Sequence, residues 1–300
     1  MRTTSVFPAR YSTDDGGFGE SVKTTIVLAR RVCFPFVGGV FLIASVYAAI
    51  GIYALHNVDS LDFSGYGFGL LITAAAIILA GYAYVGAHLV LGMIRAACQS
   101  LQCLDADRAT MSGLAFLLTS LLSYLLIFSP VAAAYAAIVV SRLLVPPAYA
   151  ELLLAINIAA IPTAVLFVAL QFVRYAVVPQ VVAAEGVSGL AAFKRSAELS
   201  VGSFRFLATR LVLLNIAVPV ANALVAAAIA TAAGTLFDAS GFGNLKPDVS
   251  FASSIITQLT IAALVVIYNT LVYSQLMIRA ARRQTTVAQA EEPTSRGTVP

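Results

Sequence analysis

Few of the 300 side chains can do chemistry, and they fall into small groups. The first is a set of carboxamides inside long apolar runs: Asn157, Asn215, Asn222, Gln258 and Asn269, with Pro162 and Pro219 beside them. A proline within a helix frees a backbone carbonyl, which a neighbouring amide can satisfy. Two arrangements use such groups, namely hydrogen bonds between packed helices and a polar cavity between broken ones. The first is the plainer and is preferred. His88 stands in an apolar run among Gly81, Gly86 and Gly92, with Tyr82 and Tyr84 nearby. A titrating imidazole is one reading, and a histidine hydrogen-bonded to a hydroxyl or carbonyl is the expected one. His56, Asp59 and Asp62 have a spacing open to metal ligands but no fourth partner, so a solvated turn is expected. Cys98 and Cys103 are separated by four residues rather than two, which fits neither a zinc pair nor a disulfide framework. No nucleophile elbow, phosphate-binding loop, dinucleotide glycine pattern or paired zinc ligands occur. The chain is therefore read as no enzyme, with no cofactor and no metal.

The elements that must hold these residues follow from composition. The chain is 60% hydrophobic and 11% charged, with a mean hydropathy of +0.92. Soluble domains carry about 25% charge, and no single core hides such an apolar excess from water. An integral membrane protein is implied. A helix needs about 20 apolar residues to cross the hydrocarbon core, and six runs qualify: about Phe34–Leu55, Gly69–Ile94, Ser112–Val140, Tyr149–Val173, Leu207–Ala233 and Phe251–Ile278. The fold class is all-α, a polytopic bundle over residues 20–284, with 1–19 and 285–300 read as disordered tails. Of the 18 basic residues, all but Arg142 and Lys246 fall on one side of this arrangement. Basic segments stay cytoplasmic, which places both termini in the cytoplasm. The charge thus reports topology, and no nucleic-acid partner is expected; membrane lipids, other membrane proteins or a second copy are.

Between the fourth and fifth spans, Gly186 ends what reads as an extended run. Val187, Leu190, Phe193, Ala197, Val201 and Phe204 then recur every three or four residues as one helical stripe. Ser188 is the expected N-cap, Lys194 and Glu198 are spaced to pair, and Lys194 and Arg195 face headgroups in an amphipathic interfacial helix over about 187–204. Ser21–Arg31 is a second, looser candidate.

The stretch from Pro179 through Glu185-Gly186 to Ala192-Phe193-Lys194-Arg195-Ser196 resembles a signature of the six-helix membrane domain of glycerophosphodiester phosphodiesterase-type and YciC-like inner-membrane proteins. That resemblance covers about twenty residues and the topology. It implies a membrane module concerned with envelope or lipid handling, with interest in Glu185, Lys194, Arg195 and Ser196. The phosphodiesterase domain itself is not in this chain, so its activity does not carry over. The expectation is a non-enzymatic multi-pass accessory or scaffold module of the cell envelope. Its alternative is a transporter or lipid-handling protein with a polar cavity between helices 4, 5 and 6.

Overall fold

The computed structural model describes residues 18–57, 66–103, 111–144, 149–240 and 246–291, and among them every regular element is helical. The order is α1 (Phe18–Val32), α2 (Phe34–Asn57), α3 (Tyr66–Ser100), α4 (Gly113–Leu144), α5 (Ala150–Tyr175), α6 (Val178–Glu185), α7 (Gly189–Ser200) and α8 (Phe204–Leu207). A π-helical turn (Ala208–Val212) follows, then α9 (Leu213–Ser240) and α10 (Lys246–Glu291). Four stretches are long and apolar enough to cross a membrane: Ala76–Ser100, Gly113–Ser141, Leu154–Glu185 and Phe251–Thr286, with hydropathies of 1.9 to 2.1. Shorter apolar runs occupy Gly38–Ile50 and Val220–Leu236. The turn at Asp59 and Asp62 lies outside the described residues, as do 1–17 and 292–300.

Helix α10 is the hub, packing against α1, α2, α3 and α9, while α4 and α5 form a hairpin alongside. Burial explains the division. In the apolar window of α10, 38% of residues are buried, against 12% in that running from α5 into α6. The α4–α5 pair instead displays Leu121, Leu125, Leu154, Val165 and Leu166 outward, as a lipid-facing surface does. Pro130 interrupts α4 without leaving an orphan. It removes the amide that would bond the carbonyl of Leu126, and the Ser129 hydroxyl donates to that oxygen at 2.8 Å instead.

The tightly packed core lies at one end of the bundle. There the C-terminal parts of α3 and α10 meet α6, α7 and the start of α9 through Ile94, Cys98, Val177, Val181, Leu199, Leu211, Ile267 and Leu276. This end also carries the basic residues Arg95, Arg174, Arg195, Arg210, Arg279 and Arg283.

Four local expectations are corrected. Residues 178–185 are a helix, not an extended run, and Val178 and Val181 to Ala184 are completely buried in it. A run so apolar fits a buried helix or a buried strand equally, and Pro179 in the first turn with Gly186 at φ +67° beyond the last decides for helix. The buried face of α7 is Ala192, Phe193, Ser196, Leu199 and Ser200, whereas Leu190 is 83% and Val201 67% exposed. The helix is therefore rotated from the expected stripe. Ser188 precedes α7 in extended geometry but its hydroxyl makes no cap bond; the amide of Gly189 is met by the Thr119 hydroxyl at 3.2 Å. Finally, α10 continues as helix to Glu291, past the expected start of the tail.

Candidate functional site

Two structural groups of polar residues stand at the packed end, and a third set lines a slot beyond it. The first group centres on Glu185, the last residue of α6. Its carboxylate accepts from the Nε of Arg195 at 2.9 and 3.2 Å and from the Tyr273 hydroxyl at 2.8 Å. Glu198 approaches Arg195 at 3.8 Å, so the acid expected to serve Lys194 serves its neighbour. Ser196, fully buried, donates its hydroxyl to the carbonyl of Arg174 at 2.9 Å, and Ser200 donates to Ser196 O at 2.8 Å. The last carbonyls of a helix have no intrahelical donor, so these serines both satisfy α5 and seat α7 on it. At the far end of α7, Gly202 (φ +69°) leads into Ser203, and Arg283 donates to Val201 O and to Ser203 Oγ. A Cβ on Gly202 would lie 2.7 Å from the Arg283 guanidinium.

A second knot ties α1 to α10. Arg210, buried in the π-helical turn, donates to Ser21 Oγ and to Gln275 Oε1. The Phe206 ring receives Arg210 at 4.7 Å and Arg279 at 4.0 Å, a desolvated cation–π arrangement. Sequence reading missed Tyr273, Gln275 and Arg210, because hydroxyls, amides and one arginine in apolar helices carry no spacing signal.

The slot lies higher in the bundle, between α3, α4, α6, α9 and α10, with a volume of about 690 Å³. Each wall is one helical stripe. Helix α10 contributes Gln258, Ile261, Ala262, Val265, Val266 and Asn269, α3 contributes Ala83, Ala87, Val90 and Ile94, and α4 contributes Phe116, Ser120 and Tyr124. From Gln258 to Asn269 the slot extends about 16 Å at 1.5 Å per residue. Pro179 and Gln180 of α6 close one end, and Val218 and Asn222 come from α9. Four of the lining residues each carry a buried polar atom without a hydrogen-bond partner among the described residues: Ser120 Oγ, Gln180 Oε1, Asn222 Oδ1 and Asn269 Oδ1. Gln180 is 3% exposed.

The structure thus brings Asn222, Gln258 and Asn269 to one void. The side chains of Asn157 and Asn215 lie outside those described, although both residues are in helices. His88 is not in the slot. It is exposed and meets Tyr84 edge-on at 4.6 Å, and its imidazole abuts Gly113, where any Cβ would overlap the ring. The glycine that marks close approach here is therefore on α4. Of those named beside His88, Gly92 lies under Phe36, and Gly81 and Gly86 face open space. Cys33, Cys98 and Cys103 are free thiols, and burial pushes Cys33 up, away from the reactive thiolate. Among the described residues no three His, Cys, Asp or Glu side chains are grouped to hold a metal ion.

No family model, no curated protein and no solved structure matches the chain.

Proposed function

We propose that this chain is a multi-pass membrane protein that handles lipid, holding one amphiphilic molecule in the slot between α3, α4, α9 and α10. The observation that carries the reading is that four residues lining a single void each carry a buried polar atom with no hydrogen-bond partner among the described residues. Each such atom costs about 1–3 kcal/mol when left unmet. Helices held together only by amide glue would pair those atoms with one another. Around an otherwise apolar slot they serve a ligand that supplies the missing partners and an apolar body. Size agrees: about 690 Å³ falls within the 300–1,000 Å³ typical of ligand pockets. The slot's length of about 16 Å matches one leaflet of a hydrocarbon core about 30 Å thick. Carboxamides and hydroxyls present both donors and acceptors, which suits the hydroxyl, ester or amide groups of a lipid better than a bare ion.

The lipid-handling reading thereby stands ahead of the plain scaffold. It accords with the resemblance carried by Pro179, Glu185, Gly186 and Lys194 to Ser196, and it involves no reaction. Six crossings, both termini cytoplasmic and residence in the inner membrane belong to the same proposal, supported by the gathering of basic side chains at one end.

The test compares the parent with Asn222→Leu/Asn269→Leu after purification in detergent, by native mass spectrometry of retained lipid and by thermal melting. The parent is expected to retain a lipid that the variant loses, with the variant equally or more stable, since apolar groups replace unmet amides. Equal lipid retention by both proteins overturns the proposal, and so does a parent that retains none.

A further inference from the structure

A second concavity, sharing no lining residue with the slot, opens between the last turns of α5 and the outer side of α7 and has a volume of about 720 Å³. Its walls are apolar: Leu170, Tyr175, Phe193, Ala197, Val201 and Phe204. Leu170 is 42% and Phe204 48% exposed, and Leu170 continues the outward-facing surface of α5 that includes Leu166. Arg174 and Lys194 stand in the lining, both exposed, and neither has a carboxylate within ion-pairing distance among the described residues. Glu198 also lines the groove, but it lies against Arg195, which in turn is bound by Glu185. In the lining itself two cations, Arg174 and Lys194, therefore stand against one carboxylate that is turned to Arg195, and the surplus is positive. The backbone at Arg174 is anchored. Its carbonyl takes the Ser196 hydroxyl at 2.9 Å, which fixes the end of α5 against the helix bearing Lys194.

We infer that this groove binds one anionic phospholipid. Its phosphate sits between Arg174 and Lys194, and an acyl chain descends past Leu170 and Phe204. The two cations stand where the apolar surface of α5 gives way to the basic end of the bundle. That is headgroup depth, where each Lys or Arg attracts anionic lipid. A soluble acidic partner would meet the cations but offers nothing apolar to cover Leu170 and Phe204, whereas a phospholipid brings both a phosphate and an acyl chain. A zwitterionic lipid carries its own cation and gains less.

The test measures lipid adducts by native mass spectrometry on the full chain in detergent, titrated with phosphatidylglycerol or phosphatidylcholine. The variants are Arg174→Gln/Lys194→Gln and the charge-matched control Lys23→Gln/Arg30→Gln on α1. Phosphatidylglycerol is expected to bind the parent in preference to phosphatidylcholine, the groove variant roughly tenfold more weakly, and the control like the parent. Arg174→Lys/Lys194→Arg restores binding if charge at this place is what matters. Equal binding of the two lipids overturns the inference, as does an equal loss in the α1 control. Displacement of phosphatidylglycerol by millimolar inorganic phosphate also overturns it, since the site would then take a free anion. Because the slot and the groove share no residue, this result stands apart from loss of lipid in the Asn222→Leu/Asn269→Leu variant.

Discussion

Glu185 is joined to residues 10 and 88 positions away, Arg195 and Tyr273, and so fastens the α6–α7 hairpin to α10. The pair is only partly sheltered, with Arg195 34% and Glu185 18% exposed at the side chain, and solvent screens its Coulomb energy. The larger consequence of removing the acid is the Tyr273 hydroxyl, which then has no acceptor in a fully buried position. Glu185→Ala is expected to destabilise the protein by about 1–3 kcal/mol. Glu185→Gln, which keeps an acceptor for Tyr273, should cost less. Thermal melting of both variants in detergent checks the order, and equal melting temperatures would show that the tyrosine bond contributes nothing.

Helix α7 shows how an amphipathic pattern is resolved by its neighbours. Its sequence supports a stripe through Leu190, Phe193, Ala197 and Val201, yet Ser196 and Ser200 turn inward to cap the end of α5. Two hydroxyls with carbonyl partners are thus buried, and two aliphatic side chains are left outside where lipid can cover them. The register makes Phe193, 7% exposed, a core residue in edge-on contact with Tyr175 at 5.5 Å. Phe193→Ala should therefore cost about 3 kcal/mol, and Leu190→Ala less than about 0.5. Lys194→Ala should fall with Leu190. Denaturation of the three variants distinguishes this register from the expected stripe, which predicts a substantial loss at Leu190 as well.

At the scale of the whole molecule, the asymmetry is the notable property. One end is a dense core laced by Arg195, Arg210 and Arg283. The other half presents Leu, Ile and Val outward, and a small cluster of Ala44, Ala48 and Ile255 is its counterpart core. Water would not tolerate that surface, whereas hydrocarbon does. If the basic end faces the cytoplasm, tags placed before Met1 and after Pro300 are both protease-protected in right-side-out vesicles and both cleaved in inverted ones. A tag accessible from the outside at either terminus contradicts the proposed sidedness.

That the chain is built of long apolar helices was legible in the chain itself, because about twenty apolar residues between charges or turn residues leave few alternatives. Where they end was not: α10 runs from Lys246 to Glu291, well beyond the apolar run 251–278. The gathering of charge at one end was legible too, since basic residues concentrate in the connections. What only the tertiary structure decided was how the intervening segment 177–200 packs and which amides meet. Val177 to Ala184 reads from its composition as an extended run but lies in and beside helix α6, and its burial depends on α3, α4 and α10 closing over it. Asn222 and Asn269 are far apart in sequence, and each is flanked by apolar residues in its helix. Whether such residues bond each other or face a shared void depends on helix rotation and spacing, quantities set by packing between elements and not written in any one of them.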